Sequence, residues 1–393
     1  MSALNLDLGH TVVGAVSERK LRLTNCGTND ELVVTQAELS PDSSAAFSLD
    51  FTGLEATGPL FVLAPGFTAT LPVRYQPTSL SEIGADGLLV RERGAIRIAS
   101  SATAEAVEVQ LSGTGVATAC PTAILSVVEG EEVIPQTRLH LRASDSLPPN
   151  GIKRVEWSAV QPDGSGSVFL PNVLATDPTF EANVVGEYVF RLKVTDAADT
   201  ASCETAEVHV FVIPDAAIHV EMVWNTPGDP NQSDEGPEAG ADLDLHFAHP
   251  LATGVDGVLD GWFDKRFDCF WFNAHPDWGS ESPDVHDNPG LDRDDTDGTG
   301  PEIVNLRLPE DGQTYRIGIH SWFAHGFGPS WAKVRVFSYD ELRFESATVK
   351  LQEFDFWEVA TVTWPSATVA AIKGPAAGHK VIPNYKAVGF PVP

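Results

Sequence analysis

Short runs in which apolar and polar side chains alternate recur every eight to twelve residues along the chain, between clusters of Gly, Pro, Asn and Asp, and helical periodicity is nearly absent. A period of two gives each run one face to bury and one to leave in water, as a strand does and a helix does not. Lys20-Leu21-Arg22-Leu23-Thr24, Val107-Glu108-Val109-Gln110-Leu111 and Tyr188-Val189-Phe190-Arg191-Leu192-Lys193-Val194 are examples. The 33 glycines and 28 prolines supply the turns that such a chain needs. At 393 residues there is room for about two to four domains. The expected fold class is therefore all-β, built of sandwiches or barrels.

Three changes along the chain set the expected boundaries. Ser112-Gly113-Thr114-Gly115 closes the first strand set, which gives a domain over 1–117. The strand Glu207-Val208-His209-Val210-Phe211-Val212 and Pro214 close the second, over 118–214. Beyond that the chemistry shifts: eight of the nine tryptophans lie at or after Trp224, and residues 221–302 hold twenty acids against three bases. This third domain is expected over 215–370, with a Pro- and Gly-rich tail or strap over 371–393.

Charge narrows the function. With 25 Lys and Arg against 55 Asp and Glu, the net charge of −30 repels phosphate backbones and anionic lipid and attracts cations, so nucleic-acid partners are not expected. No apolar run reaches the roughly 20 residues of a membrane-spanning helix, so no transmembrane segment is expected. Met1 to His10 has neither the basic start nor the apolar stretch of a secretory signal, which fits either a native start or a trimmed, mature chain. The four cysteines, Cys26, Cys120, Cys203 and Cys269, lack the spacing of a zinc site. Cys120 opens the second domain and Cys203 precedes its last strand, points that can be neighbours in a small sandwich, so a disulfide in an oxidising compartment is expected. Cys26 and Cys269 fall in different domains and are expected as buried free thiols.

Family resemblances add to this. Leu6-Asp7-Leu8-Gly9, Val13-Gly14, Leu23-Thr24-Asn25-Cys26-Gly27 and Leu111-Ser112-Gly113-Thr114-Gly115 resemble the Hydin and abnormal-spindle type of immunoglobulin-like domain, which implies a scaffold without catalytic residues. Trp157 followed by Gly186-Glu187-Tyr188-Val189-Phe190-Arg191-Leu192-Lys193-Val194-Thr195-Asp196 resembles the polycystic-kidney-disease (PKD) domain, which implies an extracellular spacer or contact module. Asp242-Leu243-Asp244-Leu245-His246-Phe247, the run from Leu291 to Glu302, and Tyr315-Arg316-Ile317-Gly318-Ile319-His320 resemble an uncharacterised bacterial β-sandwich domain of the YfaP type, from which no reaction follows. Together the resemblances imply three consecutive β-sandwich domains, two of them immunoglobulin-like and the third larger, jelly-roll-like and carrying long acidic loops.

The acidic loops of the third domain carry the candidate site. Ca²⁺ takes about six to eight oxygen ligands at flexible spacing, and clustered loop carboxylates supply them. Asp292, Asp294, Asp295 and Asp297 lie around Gly298, with Glu302 a few residues on; the spacing is not that of an EF-hand. Asp242 and Asp244 share one face of a strand whose other face buries Leu243 and Leu245. Together these seven acids are the expected calcium ligands; the plainer alternative is that they cap loops or are solvated. Asp256, Asp260, Asp264 and Asp268 form a second acid ladder, expected as a solvated turn in preference to an ion loop. Trp271, Trp278 and Trp322 stand among further aromatics and suit glycan stacking if exposed, or a small core of the insertion if packed.

His246, His249, His275, His286, His320 and His325 admit a metal-dependent hydrolase, but no recognisable catalytic motif accompanies them. The sequence thus favours a non-enzymatic protein of the bacterial cell surface or extracellular space. In it two immunoglobulin-like spacers present a Ca²⁺-stabilised domain to a protein or glycan partner; a hydrolase and a glycan-binding module are the rivals.

Overall fold

The alternating runs become strands throughout the computed structural model, which describes all residues except 1–3, 53–57, 86–87, 104, 149–150, 233–239, 255–259, 281, 283–284, 297–298, 376–377, 387–388 and 391–393. The architecture is all-β, and no helix among the described residues is long and apolar enough to cross a membrane. The chain divides into two compact units, one of Met1–Leu125, Ala143–Glu156 and Leu192–Ala206, the other of Ser126–Arg142, Trp157–Arg191 and Glu207–Pro393.

In the first strand set, a five-stranded sheet runs in the order Leu4–Val12, Val107–Val116, Glu92–Ser100, Leu32–Leu39, Phe61–Leu63, its first pair parallel. It faces a three-stranded sheet of Ser17–Thr24, Thr68–Tyr75 and Phe47–Leu49 across a core that includes Leu8, Leu71, Val73, Tyr75 and Ile96. The second set has four strands, Glu132–Val133, Ala206–Val212, Gly186–Asp196 and Ile152–Val160, and three strands, Thr179–Ala182, Thr137–Arg142 and Ser126–Val127. Within Gly186–Asp196, Tyr188, Phe190, Leu192 and Val194 are fully buried, every second residue as the alternation requires. Cys120 and Cys203 form a disulfide with Cα atoms 5.6 Å apart. Cys269 is a buried free thiol, but Cys26 is exposed, because it follows the buried Asn25 at the end of the Ser17–Thr24 strand and turns outward.

The third set packs two antiparallel six-stranded sheets face to face. One runs Gly290–Arg293, Glu302–Leu306, Ile218–Asn225, Ser330–Ser338, Glu341–Glu345, with Val349–Leu351 also on Ser330–Ser338. The other runs Asp268–Cys269, Asp242–Ala248, Thr314–Phe323, Phe356–Thr363, Thr368–Ala371, with Lys380–Ile382 also on Phe356–Thr363. Leu243, Leu245 and Phe247 of one sheet meet Val220, Met222, Val304 and Val334 of the other in a wholly buried core. A second, aromatic cluster of Trp262, Phe263, Phe270, Trp322, Phe356 and Phe390 lies against the face of the second sheet that does not look into this core.

The three tryptophans weighed for glycan stacking are packed. Trp278 is buried against Phe247 and Tyr315 and donates its indole N–H to the Arg266 carbonyl, Trp322 is 8% exposed, and the half-buried Trp271 lies edge-on to Trp322. No open aromatic platform forms from them, because the insertion between the Asp242 strand and the Leu291 strand needs a core of its own.

Candidate metal centre

The Asp242–Ala248 strand alternates as the sequence suggests: Leu243 and Leu245 enter the core, and Asp242, Asp244 and His246 face the other way. Asp244 is buried, with 2% of its surface exposed. From the facing sheet comes Glu302, fully buried at the start of the Glu302–Leu306 strand, and from the loop before it comes Asp294. One carboxylate oxygen each from Asp244, Asp294 and Glu302 lie within 4.8 Å of one another. Among the described residues this is the one place where three or more His, Cys, Asp or Glu side chains offer such a set.

Glu302 ties the two sheets together at this point. Its Oε2 accepts a 2.6 Å hydrogen bond from the Leu245 N–H and its Oε1 a 3.3 Å bond from the Asp295 N–H. The loop leading into it turns at Gly300, whose φ of +79° suits glycine; a Cβ there would lie 2.6 Å from the Trp224 ring. Asp295 is buried and lies 3.6 Å from the Arg293 guanidinium, which also reaches Glu181 at 3.1 Å.

So much acid in so little water shifts the carboxyls of Asp242, Asp244, Asp294 and Glu302 upward. Burial and then the neighbouring Asp244, Asp294 and Asp295 push Asp242 to about 8. Burial, followed by Asp294 and opposed by His246, brings Asp244 to about 8. Burial and Asp244 hold Glu302 well above the ordinary range, and burial raises Asp294 although that residue as a whole is exposed. These acids must stay protonated or take up a compensating positive charge. Asp244 Oδ2 and Asp242 Oδ1 are buried and have no hydrogen-bond partner among the described residues.

Of the seven expected ligands, the structure brings Asp244, Asp294 and Glu302 together, with Asp242 close enough to interact electrostatically with all three and Asp295 with Asp242. Asp297 lies outside the described residues. Asp292 does not join: Leu291 takes the core-facing position of the Gly290–Arg293 strand, so Asp292 is exposed on the other face and accepts a hydrogen bond from the Asn305 side-chain amide. A bulge between Leu291 and Arg293 then re-aims the chain toward the cluster.

The second acid ladder turns out to cap backbone. Asp264 accepts from the N–H groups of Thr253, Arg266 and Phe267, and Asp260 accepts from the Tyr385 hydroxyl. Asp268 is fully buried and accepts from Phe263 N–H while pairing with His246 Nδ1 at 2.7 Å; Asp256 lies outside the described residues. Asp264 and Asp268 are thus buried and Asp260 half-buried, each with fixed partners, and the three do not form a solvated turn. The remaining histidines scatter as well: His249 bonds Glu310 at 3.0 Å and His320 bonds the Tyr385 carbonyl at 3.2 Å, so they do not assemble around one point. Sequence reasoning missed His320 as a neighbour of Asp244. The two stand opposite each other across strands 76 residues apart in the chain, a register that no local pattern reveals.

Residues 131–212 match the model of a PKD-domain family, so the second sandwich is PKD-like. No curated protein matches the chain. Among solved structures, the D00-D0 domain of intimin is similar at 8% identity over 52% of this chain and 94% of that one, with a TM-score of 0.21. The secreted serine protease VesC from Vibrio cholerae is similar at 11% identity over 88% of this chain and 50% of that one, TM-score 0.21, and domains 5-6 of the S-layer protein SbsC at 12% over 54% and 94%, TM-score 0.19. At these scores the likenesses define no function for this chain.

Proposed function

We propose that this is a non-catalytic binding or structural protein of the extracellular space or cell surface, in which two immunoglobulin-like spacers carry a third, Ca²⁺-stabilised sandwich of the YfaP type. The observation that carries the cation is the convergence of Asp244, Asp294 and Glu302 within 4.8 Å, two of them buried, from both sheets. Oxygen-only ligands with carboxylates on flexible spacing suit a hard cation, and Ca²⁺ tolerates the irregular geometry better than Mg²⁺. Asp242, which feels the charges of Asp244, Asp294 and Asp295, adds to the negative field there. The Cys120–Cys203 disulfide and the PKD-like module favour an oxidising, extracytoplasmic setting. The partner is then a protein or glycan met outside the tryptophan cluster, since those rings are packed.

Calcium titration of the chelated protein tests this. Addition of Ca²⁺ is expected to raise the melting temperature by several degrees, and Asp244→Asn to abolish the rise while the variant remains folded. A melting temperature indifferent to both chelator and Ca²⁺ would rule the reading out.

A further inference from the structure

Asp244 has a second neighbour of a different kind. Its Oδ2 lies 3.6 Å from Nδ1 of His320, the residue opposite it in the strand ladder, and both atoms are buried without a hydrogen-bond partner among the described residues. The other ring nitrogen of His320, Nε2, is 3.2 Å from the carbonyl oxygen of Tyr385. A carbonyl only accepts, so Nε2 donates to it and Nδ1 is left facing Asp244.

Tyr385 belongs to the C-terminal segment, which behaves as a strap. Lys380–Ile382 pairs with Phe356–Glu358, the Tyr385 N–H donates to the Phe354 carbonyl at 2.7 Å, and its hydroxyl donates to Asp260 at 2.6 Å. Its ring lies 4.9 Å from that of Phe356, and Phe390, 6% exposed, is wedged among Phe263, Phe270, Trp271 and Phe272. The strap thus closes the aromatic cluster, and His320 is the side chain that joins it to the acid cluster.

We propose that cation occupancy of the Asp244–Asp294–Glu302 cluster controls how firmly the C-terminal strap is seated, with His320 as the positioning residue between them. The inference rests on the cation reading above and adds its regulation. A bound cation fixes the Asp244 carboxylate and with it the ring opposite and the carbonyl that the ring holds, the way an outer hydrogen bond and a metal ligand orient each other. Without the cation the buried Asp244 Oδ2 has no hydrogen-bond partner among the described residues to hold it, and the ring loses its fixed neighbour. Because linkage is reciprocal, the strap-detached form must bind the cation more weakly than the seated form by the same factor by which the cation favours seating.

Hydrogen exchange on the full chain, followed by mass spectrometry with and without saturating Ca²⁺, reads the strap, and Tb³⁺ luminescence with Ca²⁺ competition reads the site. Exchange at residues 380–386 is expected to slow roughly tenfold on Ca²⁺ binding, within the usual range of coupling between sites. His320→Ala is expected to bind Ca²⁺ yet lose that difference. Tyr385→Phe, which removes the Asp260 bond and leaves the carbonyl that His320 holds, is expected to speed strap exchange in chelator while keeping the roughly tenfold slowing on Ca²⁺ binding, and this serves if the alanine variant does not fold. Ca²⁺ binding with unchanged strap exchange overturns the proposal and spares the cation site. Absence of binding overturns both. A calcium effect that survives in His320→Ala removes His320 from the link.

Discussion

A buried carboxyl with no fixed positive partner binds its proton more tightly in the folded chain than in the unfolded one. For Asp242 and Asp244, whose values burial and their neighbours raise from the ordinary range near 4 to about 8, the native state holds more protons than the unfolded state between those limits. Stability of the cation-free protein therefore falls as pH climbs through that window. Other acids work the opposite way: Asp264, which burial pushes up, is nonetheless held low by hydrogen bonds from Thr253, Arg266 and Phe267. Comparison with Asp244→Asn isolates the cluster's share. In chelator, the melting temperature of the unaltered protein should drop relative to that of Asp244→Asn between about pH 4.5 and 8, and Ca²⁺ should cancel much of the drop while its affinity rises with pH. Parallel profiles for the two proteins would show that these carboxyls do not set the pH dependence.

At the scale of the element, the alternation that was legible in Asp242-Leu243-Asp244-Leu245 held through to the site, because the strand is pinned on both sides and a one-residue slip would expose its leucines. The same rule, applied to Leu291 and Asp292, would have excluded Asp292, but the acidic run suggested a loop where a short strand forms. Density of tryptophan told nothing about packing, since an insertion core and an exposed platform share one composition. Neither the bend at Gly300 nor its contact with Trp224 was legible in the sequence, which suggested Gly298 as the centre of the loop. That contact makes a prediction: Gly300→Ala should destabilise the third sandwich by about 1–3 kcal/mol, through an unfavourable φ and the close approach to the Trp224 ring. It should also weaken Ca²⁺ binding, because Asp294 and Glu302 lie on either side of the bend. Urea unfolding in chelator gives the first quantity and calcium titration the second; a variant matching the parent in both would show that the loop tolerates a side chain.

The second compact unit holds parts of the PKD-like segment together with the whole third sandwich, and buried polar contacts within it bind the two. Glu221, with a fully buried side chain, lies 2.9 Å from Arg335 and accepts from the Val185 N–H at 3.2 Å; burial raises it to about 7 against the pull of Arg335. Gly164, at a φ of +89°, sits where a Cβ would be 2.7 Å from Val223, and Arg293 reaches from the edge of the acid cluster to Glu181. A buried ion pair adds little by itself, yet removing one partner costs about 3–5 kcal/mol because the other is left uncompensated. Ca²⁺ held in the third sandwich should accordingly stabilise the PKD-like residues of this unit as well, so that calorimetry of the full chain shows them melting in one calcium-sensitive transition. Glu221→Ala, which strands Arg335 and frees the Val185 N–H, should split that transition and leave only its third-sandwich part sensitive to Ca²⁺. If the parent already shows two separate transitions of which calcium moves only one, the buried pair is a local contact and the cation's influence ends within its own sandwich.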